Sequence, residues 1–172
     1  MPFWRTYYHL VWATKNRAPL IVPDVELELH GYLISKAREI GVRVYALNGW
    51  VDHVHLIVSI PPKSSVADVV KRLKGASAFH VNQLLGNEGR FAWQRGYGVL
   101  TLGERQRGRA EAYVHQQKEH HRRKTTNQWL ERMDEFDEGP PDEGLDGAPP
   151  VAGLREERVV YDVEMDGAAF PF

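Results

Sequence analysis

Two histidines separated by one residue are the first feature of this chain that could do chemistry. His53 and His55 flank Val54 within an apolar run that predicts a β-strand. Because side chains alternate between the two faces of a strand, both imidazoles point to the same side, close enough to share one metal ion. A histidine pair of this kind also occurs at ordinary strand positions, so the metal interpretation needs a second element to support it.

Tyr113 and Gln117 supply that second element. They lie four residues apart in a predicted helix, so a hydroxyl and an amide project from the same helix face. The chain has no cysteine, so a metal ion must be held by His, Gln, Asp or Glu. A metal ion can orient a phosphate toward a phenol, whose resting pKa of roughly 10 means that it needs help to attack. The combination predicts phosphoryl transfer to tyrosine and hence cutting of a nucleic-acid strand.

The order of predicted elements places these residues on a common scaffold. Strands are predicted over 5–14, 42–50, 54–60 and 91–102, and helices over 24–40, 65–79 and 108–124. The order βαββαβ is the ferredoxin-like plan, an α+β fold in which an antiparallel sheet has two helices on one face. The helix over 108–124 follows as a C-terminal catalytic helix. In the helix after Ser65, a predicted N-cap, the apolar face is expected to extend to Phe79.

Charge divides the chain of 172 residues into two parts. Residues 1–124 contain 19 Lys and Arg residues and 10 Asp and Glu residues. Residues 125–172 contain 3 Lys and Arg residues and 13 Asp and Glu residues. We therefore predict one basic domain over 1–125 and an acidic extension, partly a Gly/Pro linker, over 126–172. A basic body favours a polyanionic partner. Since no apolar run is long enough to cross a membrane, a cytoplasmic protein with no membrane partner is expected.

Four motifs in order carry a family resemblance. They are Tyr8-His-Leu-Val-Trp12, Asp52-His-Val-His-Leu-Ile-Val58, Phe91-x-Trp-Gln-x-Gly-Tyr-Gly98 and Tyr113-x-x-x-Gln117. Together they resemble the single-tyrosine HUH transposases of bacterial insertion sequences, the IS200-like superfamily, and their REP-associated tyrosine transposase relatives. The resemblance covers roughly residues 4–125.

The resemblance implies an enzyme that cleaves and rejoins single-stranded DNA at hairpin-bearing ends through a 5′-phosphotyrosine intermediate. By position, His53 and His55 would be ligands of a divalent metal, Mg²⁺ or Mn²⁺. Gln117 would be the third ligand and Tyr113 the catalytic nucleophile. Such enzymes are often dimeric, so a homodimer is also expected.

Further residues are candidates for supporting roles. His120 and His121 follow Gln117 by three and four residues, so either could be an accessory ligand or a phosphate contact. The candidate DNA-binding residues are Lys15, Arg17, Lys71, Arg72, Lys74, Arg122, Arg123 and Lys124. The other four histidines, His9, His30, His80 and His115, are expected to be structural or exposed.

Two alternative functions compete with the transposase interpretation. A histidine-triad nucleotide hydrolase needs a third alternating histidine, and Ile57 stands at that position. A ferredoxin-like nucleic-acid-binding module without catalysis, such as a domesticated transposase, would use exposed sheet aromatics to stack bases. The sheet offers Tyr7, Trp12, Tyr45 and Trp50 for that purpose, although aromatics in strands more often belong to the core.

Overall fold

The predicted order of strands and helices is confirmed in the structure, a computed structural model that describes residues 3–86, 90–128 and 130–133. A short 3₁₀ turn, Lys15–Arg17, follows the first strand. The elements are β1 (Tyr7–Ala13), α1 (Pro23–Glu39), β2 (Arg43–Trp50), β3 (His53–Ser59), α2 (Val66–Leu85), β4 (Gly98–Leu102), α3 (Glu104–His115) and α4 (Gln117–Arg123).

The four strands form one antiparallel sheet in the order β2-β3-β1-β4. The two central strands, β1 and β3, pair with Val11 opposite His55 and Leu10 opposite Leu56. This topology confirms the predicted ferredoxin-like α+β fold. It places the histidine pair on a central strand, where hydrogen bonds to strands on both sides fix the backbone.

Helices α1 and α2 cover one face of the sheet, which we call the apolar face. Leu10, Trp12 and Leu56 of the sheet are fully buried there against Leu33 of α1 and Leu73 of α2. The start of α2 is fixed as predicted, because the Asp68 N–H donates a hydrogen bond of 3.2 Å to Ser65 Oγ.

Helix α3 packs on the opposite face, which we call the site face. Ala110, Tyr113 and Val114 of α3 form a second, smaller core with Tyr7 and Ile57 of the sheet. His9, His53 and His55 alternate with apolar-face residues along β1 and β3. They lie on the site face and are buried. The sheet therefore separates an apolar layer from a layer that contains buried polar groups.

The prediction that the apolar face of α2 extends to Phe79 was wrong. Phe79 is 64% exposed, whereas Ser77 and Val81 are buried. The buried positions continue from Val70 and Leu73 at steps of three or four residues, the period of an α-helix, and Phe79 falls between two of them. Helical geometry thus takes precedence over the hydrophobicity of one residue.

The predicted fourth strand was too long. Residues 91–97 contribute isolated bridge positions at Trp93, which pairs with Thr14, and at Tyr97, and the strand β4 begins at Gly98. Side chains of α2 form hydrogen bonds with the backbone N–H and C=O groups of this segment. Lys74 Nζ donates to the carbonyls of residues 94, 95 and 96 at 2.7, 3.0 and 2.8 Å, and Asn82 pairs with both backbone groups of Phe91.

The predicted helix over 108–124 consists of two helices. Gln116, with φ −92° and ψ 9°, separates α3 from α4, and its N–H donates to the carbonyls of Ala112 and Tyr113. Tyr113 therefore lies near the end of α3, and Gln117 is the first residue of α4. Neither Gly nor Pro marks this break, so no residue signal predicted it.

The division into two parts at residue 125 stays a prediction. Described residues continue past that point to Met133, and the acidic extension beyond residue 133 lies outside the described residues. Across the part of the chain that the structure describes, no helix combines the length and hydrophobicity needed to span a membrane.

Candidate active site

His53 and His55 converge on one carboxylate. Both side chains are fully buried on the site face, with ring centroids 5.0 Å apart. The Nε2 atom of His53 lies 3.1 Å from Glu131 Oε2, and that of His55 lies 3.2 Å from the same oxygen. Two nitrogens and one oxygen thus face a common point, and these three residues could hold a metal ion.

Glu131 belongs to the segment after α4, where the backbone N–H groups of Leu130 and Glu131 each donate to the Asn127 carbonyl at 3.1 Å. Burial disfavours the ionised carboxylate, but the hydrogen bonds from His53 and His55 outweigh it and hold the pKa of Glu131 well below its usual range. Glu131 was not identified from the sequence. It is one of 13 acidic residues after residue 124, and nothing in the pattern distinguished it.

Each histidine of the pair is oriented by a different partner on its Nδ1 side. Asp52 Oδ1 lies 2.6 Å from His53 Nδ1, and His9 Nε2 lies 2.8 Å from His55 Nδ1. Burial lowers the pKa of His55, whereas for His53 the Asp52 and Glu131 carboxylates outweigh burial and raise the pKa. With Nδ1 engaged in this way, the Nε2 atom of both rings faces Glu131.

His9 was expected to be merely structural or exposed, and the structure instead places it in contact with the histidine pair. It is 1% exposed on β1, and burial, together with neighbouring His55, holds its pKa well below the usual value. The contact depends on the register between β1 and β3, which the sequence pattern alone did not specify.

Tyr113 lies beside the same carboxylate. Its hydroxyl is 3.1 Å from Glu131 Oε1 and accepts a hydrogen bond of 3.1 Å from the Asn127 N–H. Burial raises the pKa of Tyr113 to about 12, so the phenol is protonated near neutrality. The two oxygens of Glu131 thus link the tyrosine on one side to the histidine pair on the other.

Gln117 is fully buried as the first residue of α4. Within the described residues, neither the oxygen nor the nitrogen of its amide makes a hydrogen bond of good geometry, although the amide lies beside the Tyr113 hydroxyl and acts to lower the pKa of that phenol. A buried amide that makes no hydrogen bond of good geometry is costly in the protein alone and is compatible with a role as a metal ligand. Its assignment as the third ligand stays a prediction, and Glu131 is the acidic residue that contacts both histidines.

The two histidines of α4 occupy different positions. His121 Nε2 lies 3.2 Å from His53 Nε2, and its ring stacks on Trp50 at 5.2 Å. His120 stacks instead on the Tyr113 ring at 4.7 Å, with its Nδ1 3.1 Å from Thr125 Oγ1. Of these two candidates, His121 reaches the histidine pair and His120 supports the tyrosine.

The candidate DNA-binding residues differ in their surroundings. Lys74 is half-buried, and its ammonium bonds three backbone carbonyls, which indicates a structural role. Arg17 pairs with Asp52 at 3.3 Å, and therefore lies close to the site. Arg17 is exposed, as are the remaining candidates: Lys15, Lys71, Arg72, Arg122, Arg123 and Lys124.

The sheet aromatics do not form an exposed stacking surface of the kind that a binding module would use. Tyr7 and Trp12 are buried, and Trp50 stacks on His121. The Arg107 guanidinium lies 4.5 Å from the centre of the Tyr45 ring. These four aromatics are engaged within the protein, as is usual for aromatics in strands.

Fold and site together define a ferredoxin-like protein with a tyrosine hydroxyl beside a candidate metal site. The family model described as "Transposase IS200 like" matches residues 2–117. The chain therefore belongs to the IS200-like transposase family.

Two relatives agree with this assignment. The chain is 34% identical over 118 residues to the ISDra2 transposase TnpA of Deinococcus radiodurans. The matched region covers 64% of this chain and 82% of the relative. It is 30% identical over 106 residues to the transposase for insertion sequence element IS200 of Salmonella typhimurium, covering 59% of this chain and 70% of the relative.

Two solved structures share the fold. A crystal structure of a candidate transposase from Deinococcus radiodurans R1 has a TM-score of 0.54 at 33% identity, and the match covers 68% of this chain and 95% of the other. A REP-associated tyrosine transposase bound to a REP hairpin has a TM-score of 0.53 at 14% identity, and the match covers 75% of this chain and 76% of the other. The second likeness concerns the fold alone.

Proposed function

We propose that this IS200-like transposase is a metal-dependent enzyme that cleaves and rejoins single-stranded DNA through a 5′-phosphotyrosine at Tyr113. One observation carries the proposal. A single carboxylate, Glu131, lies 3.1 Å from the Tyr113 hydroxyl through one oxygen and within 3.2 Å of both His53 and His55 through the other. The nucleophile and the ligand set are therefore adjacent.

The residues present fit a divalent metal ion. His53, His55 and Glu131 would hold it, and the buried amide of Gln117 is a further candidate ligand. When bound, the ion supplies positive charge that polarises the scissile phosphate. We expect Mg²⁺ or Mn²⁺ to support the reaction.

The role of Tyr113 follows from its surroundings. Its oxygen forms a bond to phosphorus while the bond from phosphorus to the 3′ oxygen breaks, which leaves a free 3′-OH. Glu131 Oε1 accepts a hydrogen bond from the hydroxyl and orients it. Because the pKa of Glu131 lies well below its usual range, the phenolic proton passes to solvent, and solvent supplies the proton that the departing 3′ oxygen takes up. His120, stacked on the ring, and the Asn127 N–H hold the phenol in place. Attack of a 3′-OH on the phosphotyrosine would rejoin the strand without ATP.

Single-stranded DNA with hairpins is the proposed partner. The REP-associated transposase that shares the fold is bound to a REP hairpin, and residues 1–124 of this chain carry an excess of basic over acidic residues. Phosphate contacts from such a surface would make affinity fall steeply with salt. A homodimer and a cytoplasmic location stay predictions, and sedimentation analysis of the full chain with and without DNA tests the dimer.

A covalent-adduct assay tests the proposed function. The protein is incubated with hairpin-bearing single-stranded DNA and Mg²⁺ or Mn²⁺, and denaturing gels are examined for a protein–DNA species. We expect an adduct that disappears with EDTA and maps by mass spectrometry to the peptide containing Tyr113. An adduct on another tyrosine would contradict the assignment. Hairpin binding without an adduct in any metal would favour a domesticated, non-catalytic binding protein.

A further inference from the structure

A third imidazole nitrogen faces the carboxylate that the histidine pair contacts. His121 Nε2 is 3.2 Å from His53 Nε2 and 3.9 Å from Glu131 Oε2. The His121 ring is nearly parallel to the Trp50 indole, with an angle of 7° between the planes. This stacking limits rotation of the ring and keeps Nε2 directed toward the site.

Three separations match those of donors that share one ion at right angles, and the 3.9 Å between His121 Nε2 and Glu131 Oε2 corresponds to a wider angle at the ion. Two donors with bonds of about 2.1 Å to a common metal, at right angles, lie about 3 Å apart. The pairs His53–Glu131, His55–Glu131 and His121–His53 are 3.1, 3.2 and 3.2 Å apart. His121 reaches this point from α4, a different element from the strand that carries the pair.

We infer that His121 is a further metal ligand, so that the site offers three imidazoles and one carboxylate and selects transition-metal dications over Mg²⁺. The inference rests on the metal centre of the proposed function. Mg²⁺ prefers oxygen ligands and retains its water, whereas imidazole suits Zn²⁺ and neighbouring transition metals. Each added nitrogen therefore increases the preference for a transition metal. The expected order of affinity is Mg²⁺ below Mn²⁺, and Mn²⁺ below Co²⁺.

Calorimetric titration of the full chain with Co²⁺ and Mg²⁺, without DNA, tests the inference. The test variant is His121→Ala, and the matched control is His120→Ala, which removes the adjacent imidazole of the same helix. We expect wild-type protein to bind Co²⁺ at least about 10-fold more tightly than Mg²⁺. His121→Ala should lose about 10-fold or more in Co²⁺ affinity, lose much less for Mg²⁺ and shift the visible absorption band of bound Co²⁺. His120→Ala should retain the wild-type ratio.

The possible results are distinguishable. Unchanged Co²⁺ affinity and spectrum in His121→Ala would overturn the inference while leaving a metal centre of His53, His55 and Glu131 in place. Equal losses for both metals, or equal losses in both variants, would also overturn it, because they would indicate a structural effect on α4. If wild-type protein bound neither metal, this inference and the metal dependence of the proposed function would both fail.

Discussion

The two faces of the sheet use the same strands for different purposes. Along β1 and β3, Leu10, Trp12 and Leu56 pack against α1 and α2, while His9 and His55 alternate with them and face α3. On the apolar face, burial removes hydrocarbon from water and stabilises the fold. On the site face, burial removes imidazoles and a carboxylate from water, which costs free energy unless each finds a partner.

The two faces should therefore contribute differently to stability and to function. The polar groups of the site face satisfy one another, with Glu131 in contact with His53, His55 and Tyr113. Such a network contributes chemistry and little net stability, because its interactions mainly offset the cost of burial. Substitutions on the two faces should therefore separate catalysis from stability.

The largest effect is expected at the nucleophile. Tyr113→Phe removes the attacking oxygen and little else, so the covalent adduct should become undetectable, a loss of about 10³-fold or more. Thermal or urea unfolding should change by only about 1 kcal/mol, the contribution of one hydrogen bond. Tyr97→Phe is the matched control and should cleave normally. Persistent adduct formation in Tyr113→Phe would assign the attack to another residue.

A pair of neighbouring residues on β3 separates the two faces directly. Leu56→Ala should destabilise the protein by about 2–5 kcal/mol through lost burial and the cavity that remains. His55→Ala should abolish metal binding, measured by calorimetry. Metal affinity in folded Leu56→Ala protein should stay close to that of the wild type. If Leu56→Ala weakened metal binding as strongly as His55→Ala, this would contradict the claim that the apolar face stabilises the fold while the site face binds the metal.

Metal ions should stabilise the folded protein through the site face. An ion that binds only the folded state at 100 times its Kd adds about 2.7 kcal/mol to the free energy of unfolding. Melting curves with and without Mn²⁺ should show this shift in wild-type protein and lose it on addition of EDTA. His53→Ala should show no shift. Stabilisation of the same size in His53→Ala would place the ion elsewhere on the protein.

The sequence predicted the fold, and it selected the histidine pair and Tyr113 as candidate site residues, because strand alternation, helix periodicity and the order of elements follow from residue spacing. The catalytic roles of these residues stay predictions. Glu131 and His9 were missed for a common reason. Glu131 is separated from His55 by 76 positions and lies among many acidic residues. The contact between His9 and His55 requires the strand register. Long-range partners of a site follow from three-dimensional packing, which residue types and spacing do not encode directly.

A smaller effect on metal affinity is expected from His9, which orients His55 across the β1–β3 pair. When His55 Nε2 binds an ion, its Nδ1 carries the hydrogen and donates to His9 Nε2. His9→Phe removes this acceptor and should weaken metal binding about 10–100-fold, the usual effect of losing such a partner. His80→Phe, on α2, which covers the apolar face, is the control. Equal affinity in His9→Phe and wild-type protein would leave His9 with a packing role only.

The smallest expected effect concerns which side of the molecule binds the DNA backbone. Helix α4 extends from the site with Arg122 and Arg123 exposed, whereas Lys71 and Arg72 are exposed on α2, which covers the apolar face. Because the scissile phosphate must reach Tyr113, we expect phosphate contacts near α4.

Two double variants that each remove two positive charges test this. Arg122→Ala with Arg123→Ala should reduce the slope of log affinity against log salt by about 2, if both residues contact phosphates. The loss should be slightly smaller if the ion pairs of both arginines with Glu119 persist in the complex. Lys71→Ala with Arg72→Ala should leave the slope nearly unchanged, although net charge falls equally. Fluorescence anisotropy with hairpin-bearing single-stranded DNA across a salt series measures both slopes. A larger change in the α2 variant would place the DNA on the α1/α2 side and require a different path to Tyr113.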